Sequence, residues 1–268
     1  MPPVLLRSPD ASIRIDPALG GRLVSWVVGD LELLGGRSDV PEEYGCYPMA
    51  PWAGRVRDNH LRWAGAEHDL PATYCGWAMH GTVLAKCWDV VEVSDAHVAL
   101  VTELGPTWPW RGRAHLTWQL DAASLRSTLA VSSDGPSFPA EVGWHPWFRR
   151  RLERGAELSW SMRATAMLER GPDHLPTGRT VSPPPAQGPF DDAFAVADGR
   201  VEIRWPGVLT VTCQSDVAWV VIYDELDDLV CIEPQSGPPD GLGRSTPVTP
   251  GSPRSASVSW TWATDPPR

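Results

Sequence analysis

The sequence predicts an all-β protein, a sandwich or barrel of many short strands with very little helix. Apolar residues recur with a period of two or in short solid runs, the pattern of half-buried and fully buried strands. The 28 prolines and 24 glycines among 268 residues punctuate the chain too often for long helices. No amphipathic segment of three or more helical turns is found, and Pro41 to Tyr44 is expected to form one short helical turn.

Taken in order, the first strand signals are Arg22 to Val28 (RLVSWVV), Lys86 to Val93, His97 to Leu104, Ala114 to Leu120 and Arg126 to Val131. They continue with Glu157 to Met162, Val201 to Trp205, Val208 to Cys213, Val217 to Tyr223, Leu229 to Ile232 and Ala256 to Trp262. Each is rich in Val, Thr or Trp and bounded by turn formers, as strands require. Ser182 to Pro189 (SPPPAQGP) reads as a long surface loop, because strand-like segments of similar character flank it. No repeat of fixed period is visible, so the expectation is a single domain over residues 1–268.

Composition narrows the function. Hydrophobic residues at 42% and charged residues at 21% are ordinary globular usage, and the formal charge is −10. An acidic chain without a Lys/Arg block lacks the footprint that phosphate backbones demand, so nucleic acid is not an expected partner. The apolar runs are too short for a signal-peptide core or a membrane span, and the expectation is a soluble, cytoplasmic protein. Five cysteines at irregular spacing, without a CxxC pair, predict neither a disulfide framework nor a zinc site.

Fifteen tryptophans are an excess. Trp26, Trp118, Trp160, Trp219, Trp260 and Trp262 lie inside alternating strands and are expected in the core. Trp52, Trp77, Trp108, Trp110, Trp144 and Trp147 read as lying in or beside loops, where an indole can serve either as a core residue or as a platform for the apolar face of a sugar ring.

Candidate chemical groups are few. His80 (AMHGT) and His145 (GWHPWF) each sit beside a Gly or Pro that bends the backbone near a strand end, where reactive groups gather. Glu233, in Val-Cys-Ile-Glu-Pro-Gln235, ends an apolar strand, and Pro234 is expected to stop the ladder there. A carboxylate in such a place must be paired or change its pKa, so a catalytic base and a structural ion-pair partner both fit. Arg55 and Arg57 share one side of a loop-like stretch and could form a donor fork. Asp191 and Asp192 could bind hydroxyls.

Together these pieces resemble the aldose 1-epimerases, or galactose mutarotases. The matching stretches are PWAGRVRDNHLRWAGAEHDLP, MHGTVLAKCWDV, EVGWHPWFR, DDAF and CIEPQSGPPDGL, in the family's order across roughly residues 51–242. The combination is specific, although no single stretch is.

The resemblance implies a large twisted antiparallel β-sandwich and cofactor-independent interconversion of the α and β anomers of a free aldohexose. No metal is implied. By motif, Glu233 matches the general base and His145 the general acid, expected to face each other across a gap the width of one hexose. Arg55, His80 and Asp191 match sugar-binding positions, and Trp147 and Gln235 are placed with them. Trp147 departs from the Tyr usual in its motif. Arg149 and Arg150, which follow it, could serve a phosphorylated or acidic sugar or simply lie in a solvated turn. A hexose-6-phosphate epimerase and a non-catalytic carbohydrate-binding protein are the alternatives. The expected partner is a small sugar, and the chain is expected to act as a monomer or homodimer.

Overall fold

The computed structural model describes residues 2–37 and 39–265. Its described strands form two large sheets and two small two-stranded ones, with antiparallel pairing between neighbouring strands and short 3-10 turns as the helical elements. One of those turns is Pro41–Glu43, where the sequence placed it.

The larger sheet has 11 strands. From one edge, its path runs through Val4–Arg7, Ala11–Asp16, Arg22–Val28, Cys46–Met49 and Gly143–Arg149, then Leu229–Gln235, Trp219–Tyr223, Asp191–Ala195, Ala166–Arg170 and Pro176–Val181, and the eleventh strand, Leu31–Glu32, pairs with Arg22–Val28 off this path. The 8-stranded sheet orders Ser159–Met162, Arg200–Trp205, Leu209–Ser215, Arg254–Thr264, Ser124–Ser133, Gly112–Leu120, His97–Glu103 and Asp89–Val93. The long tryptophan-bearing strands pack their inner faces together. Trp26 meets Trp260 edge-on at 5.9 Å, Trp118 stacks on Trp260 at 6.2 Å, and Phe148 meets Trp205 at 6.1 Å. Aromatic contacts of this geometry add stabilisation beyond area burial.

Alternation along the central strands of the large sheet separates core from site. Trp144 and Phe148 of Gly143–Arg149, and Val230 and Ile232 of Leu229–Gln235, belong to the main core. Their neighbours His145, Trp147, Glu233 and Gln235 project from the opposite face and line a cleft. A smaller apolar cluster that includes Tyr47, Met49, Trp147, Leu229 and Cys231 underlies it.

Three expectations from the sequence are corrected here. Pro234 does not end its strand, which runs on to Gln235. Pairing with Gly143–Arg149 is recorded at Gln235 and again from Cys231 to Leu229, so the proline sits where that ladder opens and its missing N–H breaks no bond there. Trp144 and Trp147 are strand residues rather than loop residues. Trp219, expected in the core, is only partly buried and lies outside the main core, whereas Trp52, Trp108 and Trp144 take the core role, one of the two left open for them.

Candidate active site

The cleft has a volume of about 220 Å³ and opens to solvent. All seven sequence candidates, Arg55, His80, His145, Trp147, Asp191, Glu233 and Gln235, line it. They come from loops and strands as far apart as residues 55 and 235, gathered by the central strands of the large sheet.

The floor is set by register. Gly143 pairs with Gln235 and Trp147 with Cys231, so His145 and Glu233 fall opposite each other, where cross-strand side chains meet. His145 Nε2 lies 3.1 Å from Glu233 Oε1. Gln235 Nε2 donates to the other carboxylate oxygen at 2.9 Å. The expected hexose-wide gap between acid and base is therefore corrected: the two groups touch, because adjacent strands hold them side by side.

Burial governs the electrostatics. It pushes the Glu233 carboxyl well above the usual range, with Asp191 adding to the rise and Gln235 and Arg55 opposing it. Burial, and then the neighbouring His80, holds the His145 imidazole well below its ordinary value. Both shifts disfavour separated charges. A contact pair that carries one proton has no net charge whether the proton rests on oxygen or on nitrogen.

The His145 ring is stacked on Tyr47 at 4.7 Å and contacts Trp147 at 5.1 Å and the edge of His80 at 4.9 Å. Beneath Tyr47 lies the fully buried Arg22, whose guanidinium stands 4.7 Å from the tyrosine ring and donates to the carbonyls of Tyr44 and Leu84. Such packing leaves the imidazole little freedom.

His80 is positioned by a backbone clasp. Its N–H donates to the Gly54 carbonyl at 3.0 Å, and the Gly54 N–H donates back to His80 Nδ1 at 3.3 Å. Nδ1 is thus an acceptor, so the neutral ring carries its proton on Nε2. Burial first, and Arg55 second, lower this imidazole to about 3. The following Gly81 adopts φ +83°, and a Cβ there would lie 1.9 Å from the Ala50 carbonyl oxygen, so a side chain cannot be accommodated.

One wall is a charge network. Asp191 Oδ2 lies 3.6 Å from Arg55, 3.4 Å from Arg170 and 3.3 Å from His174. Arg170 also reaches Asp192 and Glu225, each at 3.2 Å. Arg57, by contrast, pairs with Asp173 and Asp240 and does not line this cleft. Trp147 forms part of another wall, its indole N–H donating to the Glu42 carbonyl at 3.0 Å and its ring meeting Tyr223.

Of the six tryptophans read as loop residues, Trp147 alone lines this cleft. The phosphate role considered for Arg149 and Arg150 has no geometric basis. Neither lines the cleft; Arg149 donates to the Leu34 carbonyl, and Arg150 to those of Asp224 and Leu226. Arg170, His174, Tyr74, Tyr223 and Glu43 are lining residues that sequence reading missed, since no local motif marks them. Among the described residues, one set of potential metal ligands converges, namely His145, Cys231 and Glu233.

A model of the aldose 1-epimerase family matches residues 6–239, and the chain belongs to that family. Uncharacterized protein YphB of Escherichia coli strain K12 is 27% identical over 228 residues, 77% of this chain and 78% of that protein. A solved Escherichia coli K12 chain superposes with a TM-score of 0.88 at 21% identity, covering 98% of this chain and 99% of that one. The galactose 1-epimerase of Lactobacillus acidophilus NCFM gives a TM-score of 0.81 at 17% identity, with 98% and 94% coverage. These structures share the all-β fold described above.

Proposed function

We propose that the cleft interconverts the α and β anomers of a free aldohexose by acid-base ring opening and reclosure, with Glu233 as general base and His145 as general acid. The observation that carries this is the 3.1 Å contact between the two groups on the cleft floor. Opening a pyranose removes the proton of the anomeric hydroxyl and delivers one to the ring oxygen. Both oxygens are bonded to C1, so one small patch of protein must supply both functions.

A pair holding one shared proton meets that demand. Burial favours the shared proton on Glu233; once it passes across the 3.1 Å contact to His145, Glu233 is a free base and the imidazolium an acid. Glu233 takes the hydroxyl proton as His145 protonates the ring oxygen, giving the open aldehyde. Rotation about C1–C2 and the reverse transfers close the other anomer. The chemistry asks for no oxidant, reductant or covalent intermediate.

Neutral His80, through Nε2–H, and Arg55 are assigned to binding sugar oxygens; Asp191 and Gln235 complete the polar contacts, and Trp147 is the apolar wall. The lining acids Glu42, Glu43, Asp191, Asp192 and Glu233 outnumber the arginines Arg55 and Arg170, which favours an uncharged sugar over a phosphorylated one. Polarimetry of freshly dissolved α-glucose and α-galactose tests the reading. Faster relaxation with the protein than without it supports the proposal, and equal rates with both sugars refute it.

A further inference from the structure

A third reactive group lies buried beneath the floor of the cleft. Cys231 lies two residues before Glu233 and shares its face of the strand. Its Sγ, an imidazole nitrogen of His145 and a carboxylate oxygen of Glu233 all lie within 4.8 Å of one another, and all three residues are buried. Zinc bonds of about 2.0–2.3 Å hold tetrahedral ligands about 3.3–3.8 Å apart, so closing around an ion takes side-chain shifts of about 1 Å.

The donor chemistry suits a borderline-soft cation: one thiolate, one imidazole and one carboxylate, of which the imidazole and the carboxylate line the cleft. The lining, richer in carboxylates than in arginines, concentrates cations at its mouth. The spacing of the five cysteines gives no hint of this set, because strand register brings its members together.

We propose that His145, Cys231 and Glu233 form a zinc site whose occupation blocks the cleft. The ion takes up the imidazole and the carboxylate that proton transfer uses. Binding expels two protons to solvent, one from the thiol and one shared by the His145–Glu233 pair. The blockade rests on the acid-base reading above; the binding does not.

Metal-free protein is dialysed against zinc alone and, in parallel, against cobalt(II). The exposed Cys75 and Cys87 are first replaced by serine to remove competing thiols. Expected are one zinc per chain and thiolate-to-cobalt charge-transfer absorption. Cys231→Ala is expected to abolish the absorption and weaken zinc binding at least tenfold, with His145→Asn also weakening it. Equal zinc binding by the parent and Cys231→Ala, or none by the parent, overturns the site. In polarimetry, zinc slows anomer exchange in step with occupancy, and Cys231→Ala needs at least tenfold more zinc, each protein being compared with its own zinc-free rate. Zinc bound through Cys231 with undiminished exchange overturns the blockade. Zinc bound through Cys231 in a protein that exchanges no sugar even without zinc supports the site and places the failure in the proposed reaction.

Discussion

The imidazole of His145 and the carboxylate of Glu233, 88 positions apart in the chain, touch at 3.1 Å because their strands are antiparallel neighbours in the large sheet. The ladder opens between the flanking pairs Gly143 with Gln235 and Trp147 with Cys231, and Pro146 and Pro234 fall in that opening. The same irregularity that accommodates two prolines in a central part of the sheet leaves two reactive side chains facing one cleft.

His80 is expected to act as a neutral donor throughout the working pH range, since burial and Arg55 lower its imidazole to about 3. His80→Asn should raise KM about tenfold, the scale of one lost hydrogen bond, with a smaller change in kcat. Steady-state kinetics on either anomer checks this. A large fall in kcat with KM unchanged would assign His80 to the proton transfers instead.

The sequence made much of this legible. Arg22–Val28 is a strand with the bounds that its alternation indicated, and other runs were misplaced by only a few residues at their ends. Ala11–Asp16 alternates equally well and was overlooked. Cys46–Met49 and Gly143–Arg149 were hidden by internal prolines and by burial on both faces, which erases the period of two. The seven residues named from family motifs all line the cleft. Arg170 was not legible, because it lies outside those motifs and gains its meaning only when Asp191, Asp192 and Glu225 surround it.

Charge on the substrate should matter. With carboxylates in excess along the cleft and Arg149 and Arg150 bound to backbone carbonyls, glucose 6-phosphate is expected to show a kcat/KM at least tenfold below that of glucose. The gap should narrow as salt screens the repulsion. Parallel anomer-exchange assays at low and high ionic strength measure it. A preference for the phosphate ester contradicts the electrostatic reading.

Glu141 gives the fold a pH dependence of its own. Its buried carboxyl packs against Gly237 and Gly241 beneath the loop that contributes Pro239 to the cleft. Burial pushes it up to about 8 from an ordinary 4.5. Between those values the folded chain keeps a proton that the unfolded chain releases. Its contribution to stability is therefore full below pH 4.5 and is lost as pH rises toward 8. The slope is on the order of 1 kcal/mol per pH unit. Urea unfolding at pH 5.5 and pH 7.5 should show the wild type losing stability relative to Glu141→Gln, whose amide does not titrate. Parallel losses in both proteins would mean that Glu141 is ionised in the folded state.

The most direct measurement is the polarimetric rate of anomer exchange by Glu233→Gln, with circular dichroism and thermal unfolding confirming that the sandwich is intact. Removal of the base should slow exchange by ~10²-fold or more while the protein stays folded. A folded Glu233→Gln protein that exchanges anomers at the wild-type rate would contradict the assignment of this carboxylate, and with it the pairing with His145 on which the proposed reaction stands.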